Sequence, residues 1–221
     1  MFEAILFDID GTLLHTGGAG AVAWQRAFIE LYDVEANIEE HTRAGMTDPE
    51  IAEIVFREVM GRDGSEVERA EAVGCYLGHL ADAVRESDGY FVIDGIYDLL
   101  PRLAEEGVLL GIVTGNIEPA AKIKLARGEL DKYFRFGGFG SDSRSRTALT
   151  KKAVERGGEV AGRPLDPAKT IAVGDTPRDI KAGHDAGIRV VGVATGTYSV
   201  KHQREAGADW AIADVTDGFP V

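Results

Sequence analysis

Four short apolar runs, each stopping at a polar or glycine residue, constrain this chain more than any other feature. Ala4–Phe7 stops at Asp8, Val108–Val113 at Thr114, Thr170–Val173 at Gly174–Asp175, and Arg189–Val193 at Thr195–Gly196. Continuous β-rich runs of this length suit parallel strands covered on both faces, which lack the in–out alternation of a half-exposed sheet. Phe134–Phe139 is a weaker, aromatic member of the set. Helical spacing of apolar residues fills the intervals at 118–127, 147–157 and 178–186. Strand–helix alternation of this kind predicts an α/β fold with a doubly wound parallel sheet. Right-handed crossovers then bring every strand's C-terminal end to one edge, where ligands bind in such sheets.

One interval breaks the rhythm. From Asp8 to Val108 is 100 residues, whereas a crossover needs about a dozen. Ala21–Leu31, Glu50–Val59 and Glu66–Val84 each carry apolar residues at three- and four-residue spacing. Residues 15–88 therefore read as an inserted helical cap, with 1–14 and 89–221 forming the α/β core. Residues 95–106 supply the crossover helix, which Pro101 either kinks or begins. The glycine- and serine-rich stretch Gly137–Arg146 reads as a loop.

Charge and composition narrow the function. The net charge is −13, and no basic patch suggests nucleic acid or an anionic membrane. Residues 15–93 hold 16 acidic residues against six arginines and no lysine. Such a segment disfavours a polyanionic substrate. Cys75, the single cysteine, excludes an internal disulfide and fits a reducing cytoplasm. Its neighbours read as buried helix and make it an inert thiol. No apolar stretch is long enough to span a membrane, and no signal peptide is expected.

The strand ends carry the chemistry. Asp8 and Asp10 lie two apart, so both project the same way if the strand continues, and Gly11 turns the chain at once. An aspartate here can attack phosphorus, while a second donates a proton to the leaving oxygen and later takes one from water. Thr114, Gly115 and Asn116 offer a hydroxyl, an uncrowded N–H and an amide for phosphate oxygens. Asp175 follows a later strand and would face Asp8 across the sheet edge. With the Asp10 backbone carbonyl these carboxylates suit Mg²⁺, which takes oxygen ligands. Asp179, one helical turn on, would orient water or metal from behind. Taken singly, each motif is also what a turn or helix cap requires. Three oxygen-rich strand ends on one edge are far harder to explain that way.

Together these residues resemble the haloacid dehalogenase superfamily of aspartate-nucleophile phosphohydrolases. The resemblance rests on Asp8-Ile9-Asp10-Gly11-Thr12, Thr114, and Gly174-Asp175 with Asp179, and spans nearly the whole chain. The insert after the first motif resembles the family's helical cap. Gly45-Met46-Thr47-Asp48-Pro49 resembles a turn of phosphoglycolate phosphatase-like members, with Met46 where these often have Arg. The resemblance implies that Asp8 forms an aspartyl phosphate and that Asp10 is the general acid and base. It implies that Thr114 and Asn116, with Gly11, Thr12 and Gly115, hold the phosphoryl group, and that Asp175 completes the Mg²⁺ site.

The family's third motif, a cation often followed by proline, has no clean counterpart. Arg146, Arg144 and Lys151 are its candidates, and loop placement favours Arg146, then Arg144. Arg43 could contact a substrate carboxylate. His15 reads as a solvated loop residue, and Trp24, Phe28 and Leu31 as cap core. The expected function is a Mg²⁺-dependent phosphatase of a small phosphorylated metabolite. A sugar-phosphate mutase, which would use the same intermediate, and a catalytically silent binding protein stay open. A phosphonate hydrolase needs a cap lysine that is absent, a dehalogenase has no use for Asp10, and a receiver domain needs no cap. The sequence leaves the oligomeric state open.

Overall fold

The computed structural model describes residues 2–35 and 37–221. Its core is a six-stranded, wholly parallel sheet. The strands in it are β1 (Ala4–Phe7), β4 (Leu109–Val113), β5 (Phe136–Gly138), β6 (Thr170–Gly174), β7 (Arg189–Val193) and β8 (Trp210–Ile212). They lie in the order β5-β4-β1-β6-β7-β8. The chain winds outward from β1 in one direction and then, from β6, in the other. Asp8 at the end of β1 thus sits at the reversal, where a crevice opens in a doubly wound sheet. The strands are buried on both faces, as their unbroken apolar runs require.

The remaining strands, β2 (Leu14–Thr16) and β3 (Tyr90–Val92), form a separate antiparallel ribbon. Between them run α1 (Ala19–Tyr32), α2 (Ile38–His41), α3 (Asp48–Ile54), a π-helical turn (Val55–Val59) and α4 (Glu66–Glu86). Helix α1 turns Ala19, Ala23 and Ala27 inward with Trp24 and Phe28, a stripe small enough to let α4 approach closely. Capping boxes at Thr47/Glu50 and Ser65/Glu68 start α3 and α4 by satisfying N–H groups that the first turn leaves free. Trp24, Phe28, Phe56, Tyr76 and Leu80 form the helical unit's own apolar core. That core is shared: Ile117 and Ala120 also belong to it.

Outside the insert, α5 (Ile96–Glu105), α6 (Glu118–Arg127), α7 (Arg146–Ala161), α8 (Pro177–Asp185) and α9 (Val200–Glu205) connect and cover the strands. Helix α5 runs through Pro101, so the helix does not begin there. The carbonyl that loses its partner belongs to Tyr97, which is exposed and can turn to water. Two further expectations are corrected. Gly137 and Gly138 are buried in β5, and Arg146 opens α7, so 137–146 is a loop only in its middle. Leu31 is partly exposed, unlike Trp24 and Phe28. Among the described residues no helix is long and apolar enough to cross a membrane.

Candidate active site

Asp8 stands just past β1 with its N–H donated to the Val173 carbonyl of β6, 2.9 Å away. The chain must then turn beneath Asp175, and Gly11 does this at φ 79°. A Cβ there would lie 2.6 Å from Asp175 Oδ2, so only glycine fits both the backbone angle and the space. Asp175 is fixed from two sides: the Thr12 hydroxyl donates to Oδ1 at 3.4 Å, and buried Gln203 on α9 donates to its backbone carbonyl. Thr12 is therefore turned to Asp175, away from the cavity. Neither Gln203 nor α9 was legible as part of the site, because glutamine has no sequence signature beyond helical spacing.

Carboxylate oxygens of Asp8, Asp175 and Asp179 lie within 4.8 Å of one another, and all three residues are buried. Arg146, also buried, spans two of them. Its guanidinium pairs with Asp8 through Nη2 and with Asp179 through Nε. Arg144 instead pairs with Glu53 of α3, and Lys151 is exposed. Asp179 also accepts from the Thr176 N–H and hydroxyl, at 3.0 and 2.7 Å, the closing half of the capping box that starts α8. One cation does not balance three carboxylates. Burial pushes Asp8 up to about 7, with Asp179 and Asp10 adding to the shift and Arg146 opposing it. Burial and the charges of Asp179 and Asp8 push Asp175 up to about 8. Such an oxygen cluster, short of positive charge, fits a hard divalent cation. Asp179 stands within it, whereas the sequence placed it behind.

The Asp10 carboxylate points elsewhere. It accepts from Lys124 Nζ at 2.7 and 2.9 Å and from Asn116 Nδ2 at 2.8 Å. Burial works against its charge, yet Lys124 and Asn116 hold it below the usual carboxylate range. Lys124 went unnoticed in the sequence. It sits two turns into α6, and only the packing of that helix brings its buried ammonium to Asp10. Asn116 Nδ2 also donates to Thr114 Oγ1 at 2.8 Å, and its N–H at 3.3 Å. Thr114's own hydroxyl proton is then free to donate outward.

These groups open on a cavity of about 350 Å³ between sheet edge and helical insert. Asp8, Asp10, Thr114, Gly115, Asn116, Lys124 and Arg146 line it from the core, and Trp24, Arg43, Met46, Asp48 and Tyr76 from the insert. The turn before α3 closes directly on Gly115. Asp48 N–H donates to the Gly115 carbonyl at 2.9 Å, and Asp48 Oδ2 accepts from Ile117 N–H at 2.8 Å. His15 belongs to β2 and bonds the Thr195 carbonyl at 2.8 Å, so it is not a free loop residue. Cys75 is partly exposed on α4. Burial and Glu30 raise its thiol, which keeps it protonated and inert.

The model of a family described as haloacid dehalogenase-like hydrolase matches residues 5–193, a span that includes every motif above. The chain belongs to this family. An N-acetylmuramic acid 6-phosphate phosphatase of Pseudomonas aeruginosa is 26% identical over 97% of the chain and 90% of its own length. A phosphoglycolate phosphatase of Pseudomonas putida is 28% identical over 93% of the chain and 73% of its own. Among solved structures, CbbY from Rhodobacter sphaeroides in complex with phosphate superposes with a TM-score of 0.78. It is 21% identical and covers 100% of the chain and 96% of its own. The chain is accordingly a hydrolase of this family, and the curated relatives that span it are named phosphatases or pyrophosphatases.

Proposed function

We propose that this protein is a Mg²⁺-dependent phosphatase that hydrolyses a small phosphate monoester through an aspartyl phosphate on Asp8. One observation carries the reading: Asp8 is buried at the crevice of the sheet, ion-paired to Arg146, and faces a cavity lined by Thr114, Gly115 and Asn116. The phosphatase relatives support the reaction class.

In the first step an Asp8 oxygen bonds to phosphorus and the ester oxygen leaves with its electron pair. Asp10, which takes up a proton from solvent as its carboxyl exchanges Lys124 for the leaving group, gives that proton to the leaving oxygen. Thr114, the Gly115 N–H and Asn116 donate to the phosphoryl oxygens, and Arg146 keeps the nucleophile aimed. In the second step Asp10, held by Lys124 and Asn116 as a carboxylate, takes a proton from the water that attacks phosphorus and releases Asp8. Asp8 and Asp175, with Asp179 adjoining, are the residues that would hold Mg²⁺, together with the Asp10 backbone carbonyl. When bound, that ion supplies positive charge against the phosphoryl oxygens and the clustered carboxylates. We assign residues 15–88 as the cap that excludes bulk water and a reducing cytoplasm as the compartment.

The test is phosphate release from a panel of small esters, with Mg²⁺, with EDTA, and with Asp8→Asn. Loss of the nucleophile should lower kcat by about 10³-fold or more, and EDTA should silence the wild type. Equal release from Asp8→Asn would overturn the reading.

A further inference from the structure

The geometry points to a second metal site, formed by Glu30, Cys75 and His79 on the helical insert, that takes a thiophilic divalent cation of the zinc type and ties α1 to α4. It shares no residue with the cluster of Asp8, Asp175 and Asp179, and none of its three residues lines the cavity. It therefore does not rest on the phosphatase reading.

Cys75 and His79 lie four residues apart on α4, the spacing that puts two side chains on one helix face. Glu30 comes from α1, which packs against α4. One donor atom from each residue lies within 4.8 Å of the other two. His79 Nε2 is 2.8 Å from Glu30 Oε2. The Cys75 thiol is turned to α1, its Sγ 3.9 Å from the Ala27 carbonyl oxygen. The frame beneath these donors is fixed, because Tyr76, next to Cys75, stacks on Trp24 of α1 with centroids 4.3 Å apart and planes 8° from parallel. Glu30 is exposed, and Cys75 and His79 are half-buried, so an ion reaches the donors from solvent.

Sulfur, imidazole nitrogen and carboxylate oxygen together form a donor set for zinc. Mg²⁺ takes oxygen alone and is the wrong ion for a thiolate. Bonds of about 2.3 Å to sulfur and about 2.0–2.2 Å to nitrogen and oxygen put tetrahedral donors about 3.3–3.6 Å apart. The donors already lie between 2.8 and 4.8 Å apart, and rotation of the exposed Glu30 side chain makes up the difference. Three protein ligands leave the fourth position to water. On binding, the Cys75 S–H bond breaks, its proton passes to solvent, and the sulfur bonds the ion. The thiol gives up its weak contact with the Ala27 carbonyl. His79 enters through Nε2 as a neutral imidazole with its proton on Nδ1, and Glu30 enters as a carboxylate. Thiolate and carboxylate then cancel the ion's double charge. The surrounding segment, rich in acid and without lysine, draws cations to this surface. Bound there, the ion ties together the two helices that carry Trp24 and Tyr76 into the cavity wall and stabilises the insert by mass action.

The experiment titrates the metal-free full chain with Co²⁺ and then Zn²⁺, in excess Mg²⁺ to fill the Asp8 cluster. Wild type should show a thiolate-to-cobalt charge-transfer band that saturates at one ion per chain. Zn²⁺ should abolish that band with a Kd of about 1 µM or tighter. Cys75→Ser should remove the band, and Asp175→Asn, which alters only the other cluster, should keep it. Loss of a partner that merely supports a ligand costs a metal site about 10–100-fold in affinity. His79→Ala and Glu30→Ala, which remove ligands outright, should each weaken Co²⁺ binding at least about tenfold. Zn²⁺ should also slow modification of Cys75 by a thiol reagent, and should raise the melting temperature of wild type more than that of Cys75→Ser. Absence of the band would overturn the site, since no thiolate then binds the ion. Undiminished affinity in either alanine variant would overturn it too, since the thiol then acts without its partners. Both alanine changes fall at helix positions open to solvent, and far-UV circular dichroism reports whether each variant is folded. Should one fail to fold, the other decides.

Discussion

Arg146 occupies the first position of α7, from which its side chain reaches back over the sheet edge to Asp8 and Asp179. All three side chains are nearly inaccessible, so this pair differs in kind from the surface ion pairs around it. Removing one partner of a buried pair leaves uncompensated charge and costs about 3–5 kcal/mol. Arg146→Met is expected to lose that much stability by urea unfolding at pH 8 without metal. The loss should be smaller at pH 5, where Asp8 and Asp175 can take protons instead. Arg146→Lys keeps the charge but not the fork that spans two carboxylates, and should fall between. Arg144, two residues earlier, illustrates the contrast: its exposed pair with Glu53 contributes at most about 1 kcal/mol.

At the scale of elements, the site depends on one turn resting on another. The segment before α3 closes over the Thr114–Asn116 turn, and Gly115 lies at the contact. A Cβ at Gly115 would overlap the Met46 carbonyl and crowd the Thr47 Cα, and backbone cannot give way as a flexible side chain can. Gly115→Ala should therefore displace the turn that carries Asp48, and misplacement of about 1 Å lowers catalysis by about 100-fold. Gly74 on α4 provides the control, since a Cβ there meets nothing within 4 Å. Gly74→Ala should leave turnover intact and raise stability by about 0.5–1 kcal/mol through helix propensity. Steady-state kinetics beside thermal melting separates the two outcomes.

On the scale of the whole molecule, the sheet edge gathers more carboxylate than it can neutralise alone. Asp8 and Asp175, raised to about 7 and about 8, would titrate near 4 in an unfolded chain. Between those limits the folded, metal-free protein binds protons that the unfolded chain has released. Its stability must therefore fall as pH rises from about 4 to about 8. A cation bound among the carboxylates replaces those protons and stabilises by mass action. Excess Mg²⁺ should consequently raise the melting temperature more at pH 8 than at pH 5, and an equal gain at both would contradict this electrostatic account. The same residues divide what could be read in advance from what could not. The parallel sheet, the insert after β1 and the candidates Asp8, Asp10, Thr114 and Asp175 were legible because local rules govern them. Unbroken apolar runs make buried strands, glycine permits the turn at 11, and crossover handedness puts strand ends on one edge. Arg146 was already favoured over Arg144 and Lys151 by its place at the end of the loop, but its span of two carboxylates was not legible, and neither were the contacts of Lys124, Asp48 and Gln203. Each looks locally like an ordinary helix or cap residue. Its contacts arise only when α6, the turn before α3, α9 or α7 is packed against the sheet edge. Local rules along the chain settle which oxygen-bearing residues meet at one sheet edge, since that requires only the order of strands and the hand of the crossovers. Tertiary structure decided which charges face one another and what lines the space above Asp8, because burial and distance, not spacing along the chain, set those interactions.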